Sequence, residues 1–172
     1  MDYQAEIARL GASLKPLYAK YHKIYATAES LTAGLISSSI VNTPGSSAYF
    51  DRGFVTYSNE AKMELLGVKD ETLKAVGAVS YETALEMVAG ALEHSHADIA
   101  VAVTGIAGPD GGSDLKPVGT VWIAVMHRGQ KPYAKRFVFA GTREEVRDQT
   151  VIAALSAIGD LTLGIEPFNR KS

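Results

Sequence analysis

The sequence predicts an α/β fold, a three-layer α/β/α sandwich on a mixed, mostly parallel sheet. Short apolar runs rich in β-branched residues alternate with helical patterns, as within residues 24–41 and around residues 99–103. Parallel strands need crossover connections, and such alternation supplies them. Further along the chain, two strand-like segments at 118–127 and 133–139 flank the short polar stretch 128–131, which predicts an antiparallel hairpin.

The composition is that of a globular domain. The chain has 172 residues, 47% of them hydrophobic, and nothing in it resembles a linker, so we expect one domain over residues 1–172. A formal net charge of −2 argues against a general nucleic-acid-binding protein. The absence of cysteine excludes disulfides and thiolate metal sites. No apolar run approaches the ~20 residues of a membrane span and no signal-peptide core is present, which favours a cytoplasmic protein.

The first candidate site lies between the first strand and the helix that follows it. An amphipathic helix is predicted over residues 2–21, with Pro16 expected to kink it or end it early. A buried strand follows at 24–28, and the helical pattern resumes at Leu35. Ser30 is therefore near a helix start, where backbone N–H groups favour developing negative charge. It is a candidate nucleophile and also a candidate helix N-cap, and this stretch alone favours the cap.

One strand and three helices are predicted in the middle of the chain, at residues 50–57, 58–66, 70–76 and 81–94. Ser58 and Ser80 are suited to N-caps and Gly67 to a helix stop. His94 and His96 close the third helix. At a helix end such residues more often contact the last carbonyl groups than a metal ion.

The glycine-rich segment from Thr104 to Gly112 follows the apolar run 99–103, which is typical of a central strand. Its glycines allow close approach to a ligand and present backbone N–H groups to an anion. The pattern is neither a P-loop nor a dinucleotide fingerprint, so a plain loop is the alternative. Its position after a buried strand favours ligand binding.

The last helix opens with a Thr-x-x-Glu capping box at residues 142–145. Arg143 and Arg147 lie four residues apart on one face of this helix. Such a pair is usually solvated, but at a helix N-terminus an arginine can also meet a phosphate.

Four segments in order carry a family resemblance: TAESLTAG (27–34), PGSSAYFDRGFVTYSNEAK (44–62), GAVSYETA (77–84), and VAVTGIAGPDGG followed by KPVGTVWIA (101–124). Together they resemble the C-terminal domain of the competence/damage-inducible protein CinA, a family that includes free-standing nicotinamide mononucleotide deamidases. The resemblance runs from about Thr27 to the end of the final helix. The chain departs from the pattern at Leu31 and Ala33, where Cys and Gly are common, and at Tyr81, where a polar residue is usual.

The resemblance implies an amidohydrolase of pyridine nucleotide salvage that converts nicotinamide mononucleotide to nicotinate mononucleotide and ammonia by serine–lysine catalysis. Ser30 is the expected nucleophile, Lys62 the base, and Tyr57 a group that relays or orients the proton. All four histidines lie outside the matching segments and no Gly-x-Ser-x-Gly elbow occurs, so a Ser–His–Asp triad is poorly supported. Taken singly, Lys62 and Tyr57 would be read as a solvated and a core-edge residue.

The expected substrate contacts are Ser46, Thr104, Gly105, Gly108 and Arg147, with the loop N–H groups and Arg147 placed to hold the phosphate. No cofactor or metal is expected. The expected partners are a small-molecule nucleotide and further copies of the chain in a homo-oligomer, without nucleic acid or membrane. The alternative is a non-catalytic nucleotide-binding or interaction domain, and the joint presence of Ser30, Tyr57 and Lys62 favours the enzyme.

Overall fold

The computed structural model describes residues 1–169, which are organised around a five-stranded sheet of order β2-β1-β3-β4-β5. The strands are β1 Tyr25–Glu29, β2 Phe50–Val55, β3 Ile99–Gly105, β4 Thr120–His127 and β5 Tyr133–Val138. Strand β1 pairs in parallel with β2 and β3, whereas β3–β4 and β4–β5 are antiparallel. The predicted mixed sheet is confirmed. Four of these five strands run in the same direction, and the four strand pairs divide evenly between the two kinds.

Helices cover both faces of the sheet. They are α1 Tyr3–Tyr21, α2 Leu35–Val41, α3 Asn59–Leu66, α4 Asp70–Val76, α5 Tyr81–Glu93 and α6 Arg143–Thr162, with a 3₁₀ turn at Ser46–Ala48. Apolar side chains of α1, α2 and α6 form one core with the sheet, and those of α3, α4 and α5 form the other. The predicted α/β/α sandwich is therefore confirmed.

The alternation of side chains along β3 explains why its sequence is apolar throughout. Val101 and Val103 face α1, α2 and α6, whereas Ala100 and Ala102 face α5. All four are fully buried. Both faces of this central strand are thus covered, as its unbroken apolar run predicted.

The predicted helix ends are mostly confirmed. Ser58 accepts a hydrogen bond from Ala61 N at the start of α3, Ser80 caps α5, and Thr142 opens α6 in a capping box. Gly67 ends α3 in the left-handed conformation at φ 73°.

Helix α1 differs from the prediction because it continues through Pro16 to Tyr21. The expectation that Pro16 ends the helix early is wrong. Proline removes the N–H that would bond to the carbonyl of Ala12, and both residues are exposed. Water can satisfy that carbonyl, so the lost hydrogen bond does not end the helix.

Candidate active site

The candidate site lies at the carboxyl ends of β1 and β3. The chain leaves β1 toward β2 on one side of the sheet and leaves β3 toward β4 on the other. In open α/β sheets, ligands bind in the crevice where neighbouring connections diverge in this way. Ser30 directly follows β1, and Thr104 and Gly105 end β3. The nucleophile and the glycine-rich loop predicted from the sequence therefore flank this crevice.

Ser30 and Lys62 form a direct contact, in which Lys62 Nζ lies 3.0 Å from Ser30 Oγ. Both side chains are buried, with exposed fractions of 6% for Ser30 and 1% for Lys62. The lysine belongs to α3, and the N-cap at Ser58 sets the start of that helix. A serine hydroxyl and an amine at this separation are within the range for direct proton transfer.

The amine of Lys62 also donates to two backbone carbonyls, Thr56 O at 2.9 Å and Tyr57 O at 3.0 Å. A neutral lysine has two N–H groups and one lone pair. The two carbonyls can take both N–H groups, which leaves the lone pair for the hydroxyl of Ser30. Burial lowers the pKa of Lys62 from 10.5 to about 8 by disfavouring the charged form. The surroundings thus favour a lysine able to act as a base near neutral pH.

Tyr57 contributes its backbone rather than its phenol to this contact. Its carbonyl accepts from Lys62, while its side chain is 63% exposed. The phenol oxygen accepts from Arg143 Nη2 at 3.5 Å, a long hydrogen bond, and Arg143 Nη1 donates to Gly108 O at 2.7 Å. Arg143 therefore joins Tyr57, the second residue after β2, to the glycine-rich loop. Within the described structure, the hydroxyl of Tyr57 does not reach Lys62.

The turn that carries Ser30 is held by the buried carboxylate of Glu29. Its oxygens accept from the side chains of Thr27, Thr32 and Ser37 and from the backbone N–H groups of Gly34, Ile36 and Ser37. Helix α2 begins at Leu35, after Gly34 as N-cap. The N-cap interpretation of Ser30 is therefore wrong. Within α2, Leu35 N donates to Thr32 O and the N–H groups of Ile36 and Ser37 donate to Glu29, so none of the three is used by the Ser30 hydroxyl.

Arg147 supports the same turn from α6. Its Nε donates to Leu31 O at 2.8 Å and its Nη2 to Thr32 O at 3.3 Å. A groove of about 440 Å³ on the α1–α2–α6 side includes Arg143 and Arg147 among its lining residues. Arg147 thus contacts the backbone of the two residues that follow Ser30, and these two hydrogen bonds use part of the donor capacity of its guanidinium.

The other predicted binding residues lie at opposite ends of the parallel strands. Thr104 lies beside Ser30 in register and donates to Ala78 O at 2.9 Å, and Gly105 follows it in β3. Gly108, at φ 85°, lies in the glycine-rich loop, and its carbonyl accepts a hydrogen bond from Arg143. Ser46 lies apart from these residues. It precedes β2 at the amino end of the parallel strands, where it donates to Val41 O at 3.4 Å.

No group of three or more potential ligands among residues 1–169 is arranged to hold a metal ion. At the end of α5, His94 Nδ1 lies 2.8 Å from Gly90 O, as the helix-end interpretation predicts. No helix in the same described range has both the length and the apolar character needed to cross a membrane.

Comparison with known proteins identifies the family. A family model described as the CinA C-terminal domain matches residues 8–162. The chain belongs to the CinA C-terminal domain family. This CinA domain is similar to the nicotinamide-nucleotide amidohydrolase PncC of Pseudomonas putida, with 50% identity over 158 residues that cover 92% of this chain and 94% of that protein.

Two further relatives define the extent of the match. A CinA-like protein of Chloroherpeton thalassium is 53% identical over 139 residues, which cover 79% of this chain but only 33% of that longer protein. The crystal structure of the competence/damage inducible protein CihA from Agrobacterium tumefaciens superposes with a TM-score of 0.89 at 45% identity, covering 91% of this chain and 95% of that one. This CinA domain thus shares its fold with solved relatives and spans about a third of the Chloroherpeton protein.

Two residues that shape the candidate site, Glu29 and Arg143, were not predicted from the sequence. The signal for Glu29 is its carboxylate just before a helix, since a negative charge is favoured at a helix N-terminus. For Arg143 the sequence predicts only that it pairs with Arg147 on one helix face, where an arginine is usually solvated but can meet a phosphate. The capping box at Thr142 fixes Arg143 as the first residue of α6, but nothing in the sequence indicates that its side chain reaches Gly108.

Proposed function

We propose that this CinA domain is a nicotinamide-nucleotide amidohydrolase with Ser30 as nucleophile and Lys62 as base. The observation that carries the proposal is the buried contact of 3.0 Å between Lys62 Nζ and Ser30 Oγ. The similarity to PncC from Pseudomonas putida supports the substrate class. Because burial lowers the pKa of Lys62 to about 8, a useful fraction of the amine is neutral at physiological pH.

In the proposed first step, Lys62 Nζ takes the hydroxyl proton of Ser30 while Ser30 Oγ bonds to the carboxamide carbon. The π electrons of the carbonyl move to its oxygen and form an oxyanion. Collapse of this intermediate breaks the C–N bond, and the Lys62 ammonium returns its proton to the leaving nitrogen, so ammonia departs. Water then attacks the acyl-serine with Lys62 again as base, which releases the carboxylate product and restores Ser30.

The oxyanion needs donors close to Ser30. Among the hydrogen bonds of residues 1–169, none uses the backbone N–H of Leu31 or Thr32. Both residues directly follow Ser30, in the turn that Glu29 and Arg147 hold. We infer that these two N–H groups are the oxyanion donors.

The charge of nicotinamide mononucleotide suits the same crevice. Its pyridinium ring withdraws electrons from the carboxamide, and its positive charge beside Lys62 further favours the neutral amine. Its phosphate requires cations and backbone N–H groups, which Arg143, Arg147 and the loop around Gly108 offer at the edge of the crevice. Ser46, at the opposite edge of the sheet, has no part in this arrangement within one chain.

The test of this function is incubation of the purified protein with nicotinamide mononucleotide, followed by assays for ammonia and nicotinate mononucleotide. We expect both products in equal amounts. Binding of the mononucleotide without either product would instead favour the non-catalytic nucleotide-binding domain. Location in the cytoplasm and assembly into a homo-oligomer stay predictions, and sedimentation of the purified protein tests the second.

A further inference from the structure

Thr56 carries a buried hydroxyl that makes no hydrogen bond in the resting structure. Its Oγ1 is one of two buried side-chain polar atoms among residues 1–169 without a hydrogen-bond partner, and the residue is 0% exposed. The large majority of buried side-chain polar atoms in proteins are paired, and leaving one unpaired costs roughly 1–3 kcal/mol. A valine has nearly the same shape without this cost, so the hydroxyl calls for an explanation.

The register of the sheet places Thr56 next to Ser30. Ala28 pairs with Phe54, and both contact the core formed with α3, α4 and α5. The pairing continues beyond the strands, since Thr56 N donates to Glu29 O at 2.8 Å. Two residues further on, Ser30 and Thr56 therefore point to that same face from neighbouring strands, which are about 4.8 Å apart. Side chains at such adjacent positions lie side by side, so the unpartnered hydroxyl of Thr56 is a neighbour of Ser30.

The contacts of Lys62 exclude it as the partner for this hydroxyl, which leaves Ser30 of the two proposed catalytic residues. Lys62 Nζ already has three oxygen neighbours: the Ser30 hydroxyl and the carbonyls of Thr56 and Tyr57. It therefore has no fourth position to offer. Ser30 Oγ gives its proton to Lys62 while it bonds to the carboxamide carbon, and the partial negative charge that it carries in this transition state favours a nearby hydrogen-bond donor.

We propose that Thr56 is a positioning residue of the proposed serine–lysine site, whose hydroxyl donates to Ser30 Oγ as that oxygen loses its proton. The proposal rests on the proposed function and deepens it. Rotation of Thr56 about χ1 directs its O–H to Ser30 while its carbonyl continues to hold Lys62. The hydrogen bond is made when charge develops on the serine and is weak in the resting state, so it stabilises the transition state specifically.

The test compares Thr56→Val, which keeps the shape, with Thr56→Ser, which keeps the hydroxyl. We expect Thr56→Val to lower the plateau of the pH profile of kcat/KM by about 10- to 100-fold, the range for losing a hydrogen bond to a charged group. The midpoint of the profile should stay in place because Lys62 keeps its surroundings. Thr56→Ser should retain most of the activity, and thermal unfolding of Thr56→Val should be no lower than that of the wild type.

Thr150→Val is the matched control, since Thr150 is equally buried but its hydroxyl donates to Val146 O within α6. It should lose stability and keep its activity. Activity of Thr56→Val within twofold of wild type, equal losses in Thr56→Val and Thr56→Ser, or a displaced midpoint would overturn the proposal. If Thr56→Val fails to fold, Thr56→Ala set against Thr56→Ser makes the same comparison.

A second measurement tests the role of Thr56 independently of whether nicotinamide mononucleotide is the substrate. The rate at which a phosphonofluoridate modifies Ser30 requires an activated serine but no nucleotide. If the wild type does not hydrolyse nicotinamide mononucleotide, the proposed substrate is wrong, and slower modification of Thr56→Val still supports the role of Thr56. Equal modification rates in the two proteins, or a wild type inert to the reagent, would overturn that role.

Discussion

Lys62 combines a basic amine with nearly complete burial, and this combination predicts a pH dependence. The neutral form is the active base, and burial lowers the pKa of Lys62 to about 8. Activity should therefore rise with pH, through a midpoint near this value, to a plateau. The measurement is kcat/KM against pH, which reports the free enzyme. A profile that is flat between pH 6 and 9, or one that falls, would contradict the assignment of Lys62 as base.

Arg147 is expected to act in two ways, which substrates with and without a phosphate can separate. Its hydrogen bonds to Leu31 O and Thr32 O hold the turn that carries Ser30. Arg147→Ala should therefore slow hydrolysis of both nicotinamide mononucleotide and the dephosphorylated riboside. The mononucleotide should lose more, because a phosphate contact disappears as well.

The two possible failures in the Arg147 experiment have different meanings. An unaffected riboside would show that the turn does not depend on Arg147. Equal losses on both substrates would show that Arg147 does not recognise the phosphate.

The role of an individual residue was predictable where the residue belongs to a family motif. It was not predictable where the role depends on contacts that only folding creates. Ser30 and Lys62 were located from the segments TAESLTAG and FVTYSNEAK. The sequence could not show that Tyr57 supplies its carbonyl while its phenol points to Arg143. It also could not show that Glu29 accepts six hydrogen bonds, because its donors depend on the path of the turn.

The turn between β1 and α2 depends on the charge of Glu29. In Glu29→Gln an amide N–H₂ replaces one carboxylate oxygen and faces backbone N–H donors, which it cannot accept from. We expect a loss of several kcal/mol in the free energy of unfolding, at roughly 1–3 kcal/mol for each unsatisfied buried group. Denaturant unfolding measures it. Glu93→Gln, an exposed change of the same chemistry in α5, should be neutral. A fully stable Glu29→Gln variant would contradict this role of the carboxylate.

The glycine-rich loop should bind substrate through its shape. Gly108 has φ 85°, and an added Cβ would collide with the side chain of Val118. Gly108→Ala should therefore displace the loop and raise KM several-fold while the fold survives. Gly129→Ala is the control, because Gly129 has a similar φ of 78° but open space around it. Both substitutions carry the same backbone strain. Equal KM values in the two variants would exclude the loop from binding.

Helices and strands followed the sequence closely where local signals were strong. Ser58, Ser80 and Thr142 cap the helices that they were expected to cap, since capping depends on neighbours within a few residues. Local rules failed at Pro16, where the outcome depended on whether the freed carbonyl faces water or protein. The start of α2 was likewise set by a buried carboxylate and not by Ser30.

The arrangement of the whole sheet explains which predicted residues form one site. Ser30 follows β1 and Thr104 lies at the end of its parallel neighbour β3, so their proximity at the carboxyl ends of these strands was predictable once the two strands were recognised. Ser46 follows α2, which carries the chain back across the sheet to its other edge. The position of Ser46 therefore depends on the direction in which α2 carries the chain between β1 and β2. The matching motif PGSSAYF contains no information about that direction.

The most direct test of the serine–lysine account is turnover of nicotinamide mononucleotide by Ser30→Ala, Lys62→Ala and the double variant, with and without a metal chelator. Ser38→Ala and Lys69→Ala, at exposed positions, are the controls. The account predicts that each single variant loses most of its turnover and that the double variant is little worse than either, because the two residues act as one unit. The chelator should have no effect. Near-normal turnover by Lys62→Ala, or inactivation of the wild type by the chelator, would contradict the account.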